Sequence, residues 1–353
     1  MTIALACLLT GGAACAAEPL YAVTALPDFA RATAINNLGD IVGYTNGPQA
    51  IVLRSGQTSA RQIDSLAGLA TKAYGVNDNL QIVGESVASD GQVHAFLHSG
   101  GLTRDLGTLE GHLRSAATGI NSKGQVVGWS EADSVTKTGS RLRLPFVYSK
   151  GRMTAIQAFG GLSAWANAID DFGSAVGAAE LWECDGNPPT VIRPFMTSLS
   201  GGVVGMAGIG GNNGQAMAIS SNGLIVGSEE PILDDTTTRA VAWFSGATNR
   251  PTSLGTLGNR RHSIAKGVNK AGVIVGYAYD DGDPAASRVA FVYLNGAMYD
   301  LNARLSTGGW VIREAIAINN GGQIIAEGCA TPAMACGQAL LLTPVTTSKP
   351  RRR

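Results

Sequence analysis

The chain has 353 residues, 45% of them hydrophobic, and its 26 basic and 26 acidic side chains cancel to a net charge of zero. That composition describes a folded chain with a large core and excludes an extended disordered one. With a pI near 6.9, no whole-molecule field draws it to nucleic acid or to an anionic membrane.

Residues 1–17 differ from the rest. Ile3 to Leu9 is a short apolar core, and Gly11 to Ala17 follows with small residues at Cys15 and Ala17. This is the pattern of a signal peptide cleaved before Glu18, although no Lys or Arg precedes the apolar run. Export to the periplasm or the cell exterior is the expectation. A lipid anchor on Cys15 is the weaker alternative, because Gly12-Ala13-Ala14-Cys15 lacks the usual Leu of a lipoprotein box. The core is too short to span a bilayer, and no other segment is long and apolar enough.

From residue 32 onward one line recurs seven times: small, any residue, small, aliphatic, a polar turn, two aliphatics and usually Gly. It begins as Ala32-x-Ala34-Ile35-Asn36 … Ile41-Val42-Gly43 and ends as Ala315-x-Ala317-Ile318-Asn319 … Ile324-Ile325-Ala326. The first aliphatic stands at 35, 76, 120, 169, 219, 268 and 318, a period of 41 to 50 residues. A period of that size signals an array or a propeller. In the second unit, Ala73–Asn77, Gln81–Gly84, His94–His98 and Leu102–Leu109 are four short strands with Gly/Asn/Asp turns between them, an antiparallel meander. Most first turns carry Gly at the fourth position, as a left-handed residue requires. Leu80 takes that place in the second unit, and Asn79 beside it is expected to adopt the left-handed conformation instead.

Inner strands of a propeller crowd around an axis, which explains the small-x-small pair in all seven units. A β-solenoid is the alternative architecture. The seventh unit ends after its third strand, Gln338–Leu342, and Tyr21–Leu26 resembles the missing fourth strand. The expected fold is therefore an all-β, seven-bladed β-propeller of four-stranded antiparallel blades over residues 18–345. The N-terminal strand closes the ring and removes the free sheet edges. Residues 346–353 form a basic, solvated tail.

Cys329 and Cys336 flank one connection between adjacent strands, and an exported chain permits a disulfide there. Cys184 is left over as a free thiol.

The third strands read His94-Ala95-Phe96, Pro145-Phe146-Val147-Tyr148 and Ala290-Phe291-Val292-Tyr293. With the Ile-Asn-x-x-Gly-x-Ile-Val-Gly line and Asp105-Leu106-Gly107-Thr108-Leu109, the chain resembles the bacterial HAF-repeat family of extracellular repeat proteins over residues 21–344. The resemblance implies export and a propeller-like array. It supplies no catalytic residues.

Chemistry is sparse. The four histidines lack metal-ligand spacing, and no Gly-x-Ser-x-Gly elbow occurs. Acidic residues gather in the connections between second and third strands, among them Glu183, Asp185, Glu229, Glu230, Asp234, Asp235, Asp280, Asp281 and Asp283, with Trp182 beside them. Connections from each fourth strand to the next blade emerge on the same face and carry cations, Arg31, Lys72, Arg114, Arg260, Arg261 and Arg313. Solvated loop polarity accounts for this pattern. The functional reading is a binding face with an acidic periphery. Asp280-Asp281-Gly282-Asp283 is a calcium candidate or an ordinary turn. No other cofactor is expected, and the channel positions of the inner strands are read as small or neutral. The expected function is that of a secreted, monomeric, non-enzymatic propeller that binds a protein or glycan through its loop face. A propeller hydrolase or lyase acting on polysaccharide is the alternative.

Overall fold

The computed structural model describes residues 19–135, 141–157, 163–181, 191–197, 202–211, 213–231, 237–282, 287–331 and 336–345. Residues 1–18 and 346–353, which include the expected signal peptide and tail, lie outside them. Seven four-stranded antiparallel sheets follow one another around an axis. Blade 2 shows the plan, with strands Thr71–Val76, Ile82–Val87, Val93–Ser99 and Leu102–Gly107. Blade 7 has Trp310–Ile318, Ile324–Ala330 and Gln338–Val345, and its outer strand is Leu20–Ala25 from the other end of the chain. That strand runs in register from Leu20 opposite Val345 to Ala25 opposite Leu340. Tyr21 is 2% exposed, and its carbonyl accepts the Ser306 N–H at 2.8 Å. The ring is closed as the repeat count requires.

The repeated letters acquire physical causes here. In all seven blades the residue between the two small ones has no partner across the ladder: Ala73 pairs with Gly84 and Gly75 with Val83, with a β-bulge between, and in blade 7 Ala326 stands where the others have Gly. The bulge turns the carbonyl of the preceding residue toward the facing strand. A Cβ on Gly84 would lie 1.9 Å from the Lys72 carbonyl oxygen, and Gly43, Gly128, Gly177, Gly227 and Gly276 stand in the same relation, at 1.9–2.0 Å. Glycine at that point leaves room for the bulge. The third-strand Phe lies opposite the same glycine, Phe96 on Gly84, Phe146 on Gly128, Phe195 on Gly177 and Phe291 on Gly276. Each of these rings is fully buried and covers the gap the missing side chain leaves. The second small residue meets the next blade directly. A Cβ on Gly119 would lie 3.2 Å from Ala168 Cα, and one on Gly267 3.0 Å from Ala317 Cα.

The core is a series of layers between blades. One layer combines Val42 and Ala50 of blade 1 with Ile63, Ala73, Ile82 and Phe96; the next combines Val83, Ala95 and Leu106 of blade 2 with Ala117, Val126 and Phe146.

Two local expectations meet the structure. Leu80, and not Asn79, is the left-handed residue of its turn, with φ +57°. The Asn77 side-chain oxygen accepts the N–H groups of Asn79 and Gln81 at 3.1 and 2.9 Å. These bonds fix the turn length and force the fourth position into that conformation whatever residue occupies it. Cys329 and Cys336 form a disulfide. Cys184 lies outside the described residues.

Candidate functional site

The first-turn face is built from one motif repeated around the axis. In the five blades that carry Asn at this turn, its Oδ1 accepts N–H groups of its own turn and its Nδ2 donates to the turn carbonyl of the next blade. Asn36 reaches the Asn77 oxygen at 3.1 Å, Asn77 reaches Asn121 at 2.9 Å, and Asn121 reaches Asp170 at 2.9 Å. Asn269 reaches Asn319 at 3.2 Å, and Asn319 returns to Asn36 at 3.0 Å, closing across the chain ends. A second ring runs outside it, where Asp78 accepts the Asn37 N–H at 2.8 Å and Asp171 accepts the Ser122 N–H at 2.9 Å. The turns surround an axial recess of about 250 Å³.

The opposite, loop face carries the residues expected to bind. Trp182, Glu183, Asp185, Asp234, Asp235 and Asp283 lie outside the described residues. Glu229 is not an exposed loop charge. It closes the second strand of blade 5 opposite Gly214 and is 3% exposed. Its Oε2 accepts the Ile209 N–H at 2.7 Å, and the carboxylate fills space that a side chain at Gly208 or Gly214 would take. Burial pushes its pKa up to about 7, against the opposing pull of that N–H and of Arg193. Glu230 accepts the Asn213 side-chain amide at 3.1 Å and lines a recess of about 230 Å³ with Trp165, Gln215 and Ile264.

Asp280 binds Arg260 Nη1 at 2.6 Å and accepts the Arg261 N–H at 3.1 Å. Asp281 holds the Arg261 guanidinium and His262 Nε2, the latter at 2.7 Å. The Arg261 N–H bond to Asp280 and the His262 bond to Asp281 hold both carboxyls below the usual range. Two of the three calcium candidates thus face cations in the adjoining connection. Among the described residues no group of three or more His, Cys, Asp or Glu side chains could hold a metal ion.

The channel rim carries the cations that the sequence reading placed in the connections leading into the first strands, with carboxylates beside them. The residue before the first small one is Arg31, Lys72 and Glu314 in blades 1, 2 and 7, and the bulge residue of blade 6 is Lys266. Glu314 receives Arg31 at 3.3 Å, Arg288 at 3.0 Å and Lys266 at 3.9 Å, and Arg31 also holds Glu327 at 3.0 Å. Burial lowers the Lys266 pKa; Glu314 opposes this, while Arg31 and Arg288 add to it. Blade 3 repeats the plan. Glu131 receives Arg143 at 2.7 Å, Arg141 at 3.7 Å and Arg114 at 3.8 Å, and Arg141 also holds Asp133 at 2.8 Å.

In both clusters the carboxylate lies below and the cations above. The Glu131 and Glu314 side chains are each 5% exposed, whereas their six cationic partners range from 26% to 43%. Counted by ion pairs, each cluster sets three cations against two carboxylates, and in blade 3 Glu180 also faces Arg143. The guanidiniums also stack on aromatic rings, Arg143 over Trp129 at 4.4 Å and Arg288 over Tyr277 at 4.7 Å. Cation-bearing positions were visible in sequence, but their grouping around two buried carboxylates was not.

No family model matches the chain, and no curated protein matches it. Among solved structures it is similar to the β-propeller domain of the Trilobed protease from Pyrococcus furiosus, with TM-score 0.56, 10% identity, and 93% of this chain and 98% of that one covered. It is also similar to a Mycobacterium tuberculosis puromycin-hydrolyzing peptidase, with TM-score 0.57, 14% identity, and 95% and 56% covered. A weaker similarity is to TolB from Acinetobacter baumannii, with TM-score 0.47 and 10% identity, where the chain spans 65% of the other's length. At these identities the likeness shows the fold. The Pyrococcus domain is described as having an open velcro topology; this ring is closed by its first strand.

Proposed function

We propose that this protein is an exported, monomeric, non-enzymatic binding propeller of the HAF-repeat type, and that its loop face takes an anionic glycan. The observation that carries the reading is the layering of charge at the channel rim. Two buried carboxylates, Glu131 and Glu314, each fix three partly exposed cations. Fixed guanidiniums are pre-organised to hold a carboxylate or sulfate with little further loss of side-chain freedom. The adjacent Trp129 and Tyr277 rings offer surfaces on which a sugar can lie.

The hydrolase alternative needs a raised-pKa acid facing a recess beside a second carboxylate. Burial raises the pKa of two carboxyls; Glu180 faces the Arg143 cation, and Glu229 lies beneath Gly208 and Gly214. The adjoining recess is lined by Glu230 instead. That division supports binding over hydrolysis.

Isothermal titration of the mature chain against polygalacturonate and against uncharged dextran tests the reading. Polygalacturonate should bind and weaken steeply as salt is added, while dextran should not bind. An Arg114→Gln/Arg141→Gln variant should lose affinity several-fold and keep its fold, because Arg143 still holds Glu131 at 2.7 Å. Equal binding of both polymers, or a variant that binds as before, would overturn it.

A further inference from the structure

On the first-turn face the Asn ring fails at two steps, where blades 4 and 5 carry Asp170 and Ser220; from Asp170 the step to Ser220 sets a carboxylate against a carbonyl. Blade 4 carries Asp170 where the preceding three blades carry Asn. Asp170 Oδ1 accepts the N–H groups of Phe172 and Ser174 at 3.0 and 2.8 Å, as Asn36 Oδ1 does from Leu38 and Asp40 at 3.1 and 2.8 Å. The side chain is therefore seated like the asparagines, and its second oxygen stands where they present an N–H donor. The next carbonyl in the ring, that of Ser220, accepts the Gly223 N–H of its own turn at 2.9 Å and receives no donor from blade 4 among the described residues. Two acceptors are thus turned toward a position where the neighbouring steps place a donor and an acceptor.

Asp170 is 5% exposed, and Oδ2 has no donor among the described residues. That oxygen opens on the recesses that Asp170 lines, so a donor there must come from solvent or from a ligand. The axial recess and a second recess of about 740 Å³ between blades 4 and 5 both reach Asp170. The second one is walled by Phe172, Met196, Asn222 and Ser245, and its lining includes one carboxylate and no cation. Phe172 is 67% exposed, an unusual position for a large apolar ring.

We infer that this inter-blade recess binds a small organic cation, an ammonium carried on an apolar body. The ammonium would donate to Asp170 Oδ2, the one group that lines both this recess and the axial one where Ser220 stands, and would neutralise the carboxylate. The apolar body would lie against Phe172 and Met196. The site is on the opposite face from the glycan-binding rim and stands independently of it.

Benzylammonium is the probe, with benzyl alcohol as its uncharged counterpart and calcium chloride as a metal control, each titrated calorimetrically into the mature chain. Benzylammonium should bind saturably and raise the melting temperature, and the alcohol and calcium should do neither. Asp170→Asn restores the donor, so this variant should melt no lower than the native chain and bind benzylammonium at least tenfold more weakly. Phe172→Ser, which leaves the ring intact, should weaken binding several-fold. Absence of saturable benzylammonium binding, equal binding of the alcohol, unchanged affinity in Asp170→Asn, or a response to calcium alone would each overturn the inference.

Discussion

Glu229 is 3% exposed, and its carboxyl accepts the Ile209 N–H at 2.7 Å. In the sequence it stands in an acidic connection beside Glu230 and reads as a solvated charge. In the fold it ends a strand, turns inward and is held by one backbone N–H. Its pKa of about 7 lies above the ordinary 4.5, so the folded state holds its proton more tightly than the unfolded chain. Its contribution is present below about pH 4.5 and lost as pH rises toward 7, by up to about 3 kcal/mol. Urea unfolding across that range should show the loss in the native chain, and Glu229→Gln should flatten it. A native-minus-variant stability difference independent of pH would contradict this assignment. Bulge glycines such as Gly84 changed meaning in the same way. Their recurrence was legible, but the carbonyl that requires them comes from the facing strand, so no local pattern could reveal the cause.

At the scale of elements, strand order, turn positions and closure were all legible, because each blade is a local meander and the seventh unit visibly lacks a strand. What joins the blades was not. The inter-blade bonds of the Asn rings link residues 41 to 50 apart along the chain and, at closure, 283 apart. The recurring Asn was visible, as was its replacement by Asp170 and Ser220, yet a turn residue reads as turn chemistry until its neighbour in space is known. Closure carries a second tie beyond the Leu20–Ala25 strand, since Arg31 reaches back to Glu314 and Glu327. Removing residues 18–27 bares one edge of blade 7 and uncovers the core around Leu340 and Leu342, both fully buried. The loss should exceed that of a single large core truncation, about 3–5 kcal/mol, and calorimetry should show a sharply lower melting temperature. An unchanged melting temperature would mean that the strand does not hold the ring.

At the scale of the molecule, seven nearly equivalent backbones carry very unequal side chains at the loop rim. Blades 1, 2 and 7 place Arg31, Lys72 and Glu314 at one repeat position, while blades 4, 5 and 6 place Trp165, Gln215 and Ile264 there. Repetition explains the scaffold, and departure from repetition marks where a ligand can be distinguished. The sequence showed these departures only as scattered charges, because it does not say which of them share a buried carboxylate. If an anionic glycan lies on the cation clusters around Glu131 and Glu314, hydrogen exchange with and without bound polygalacturonate will map it. Exchange should slow in residues 112–116, 128–133 and 141–144 of blade 3 and in 287–290 and 312–314 of blades 6 and 7. Protection confined to the turns at 36–40, 77–81 and 121–125 on the opposite face would contradict it.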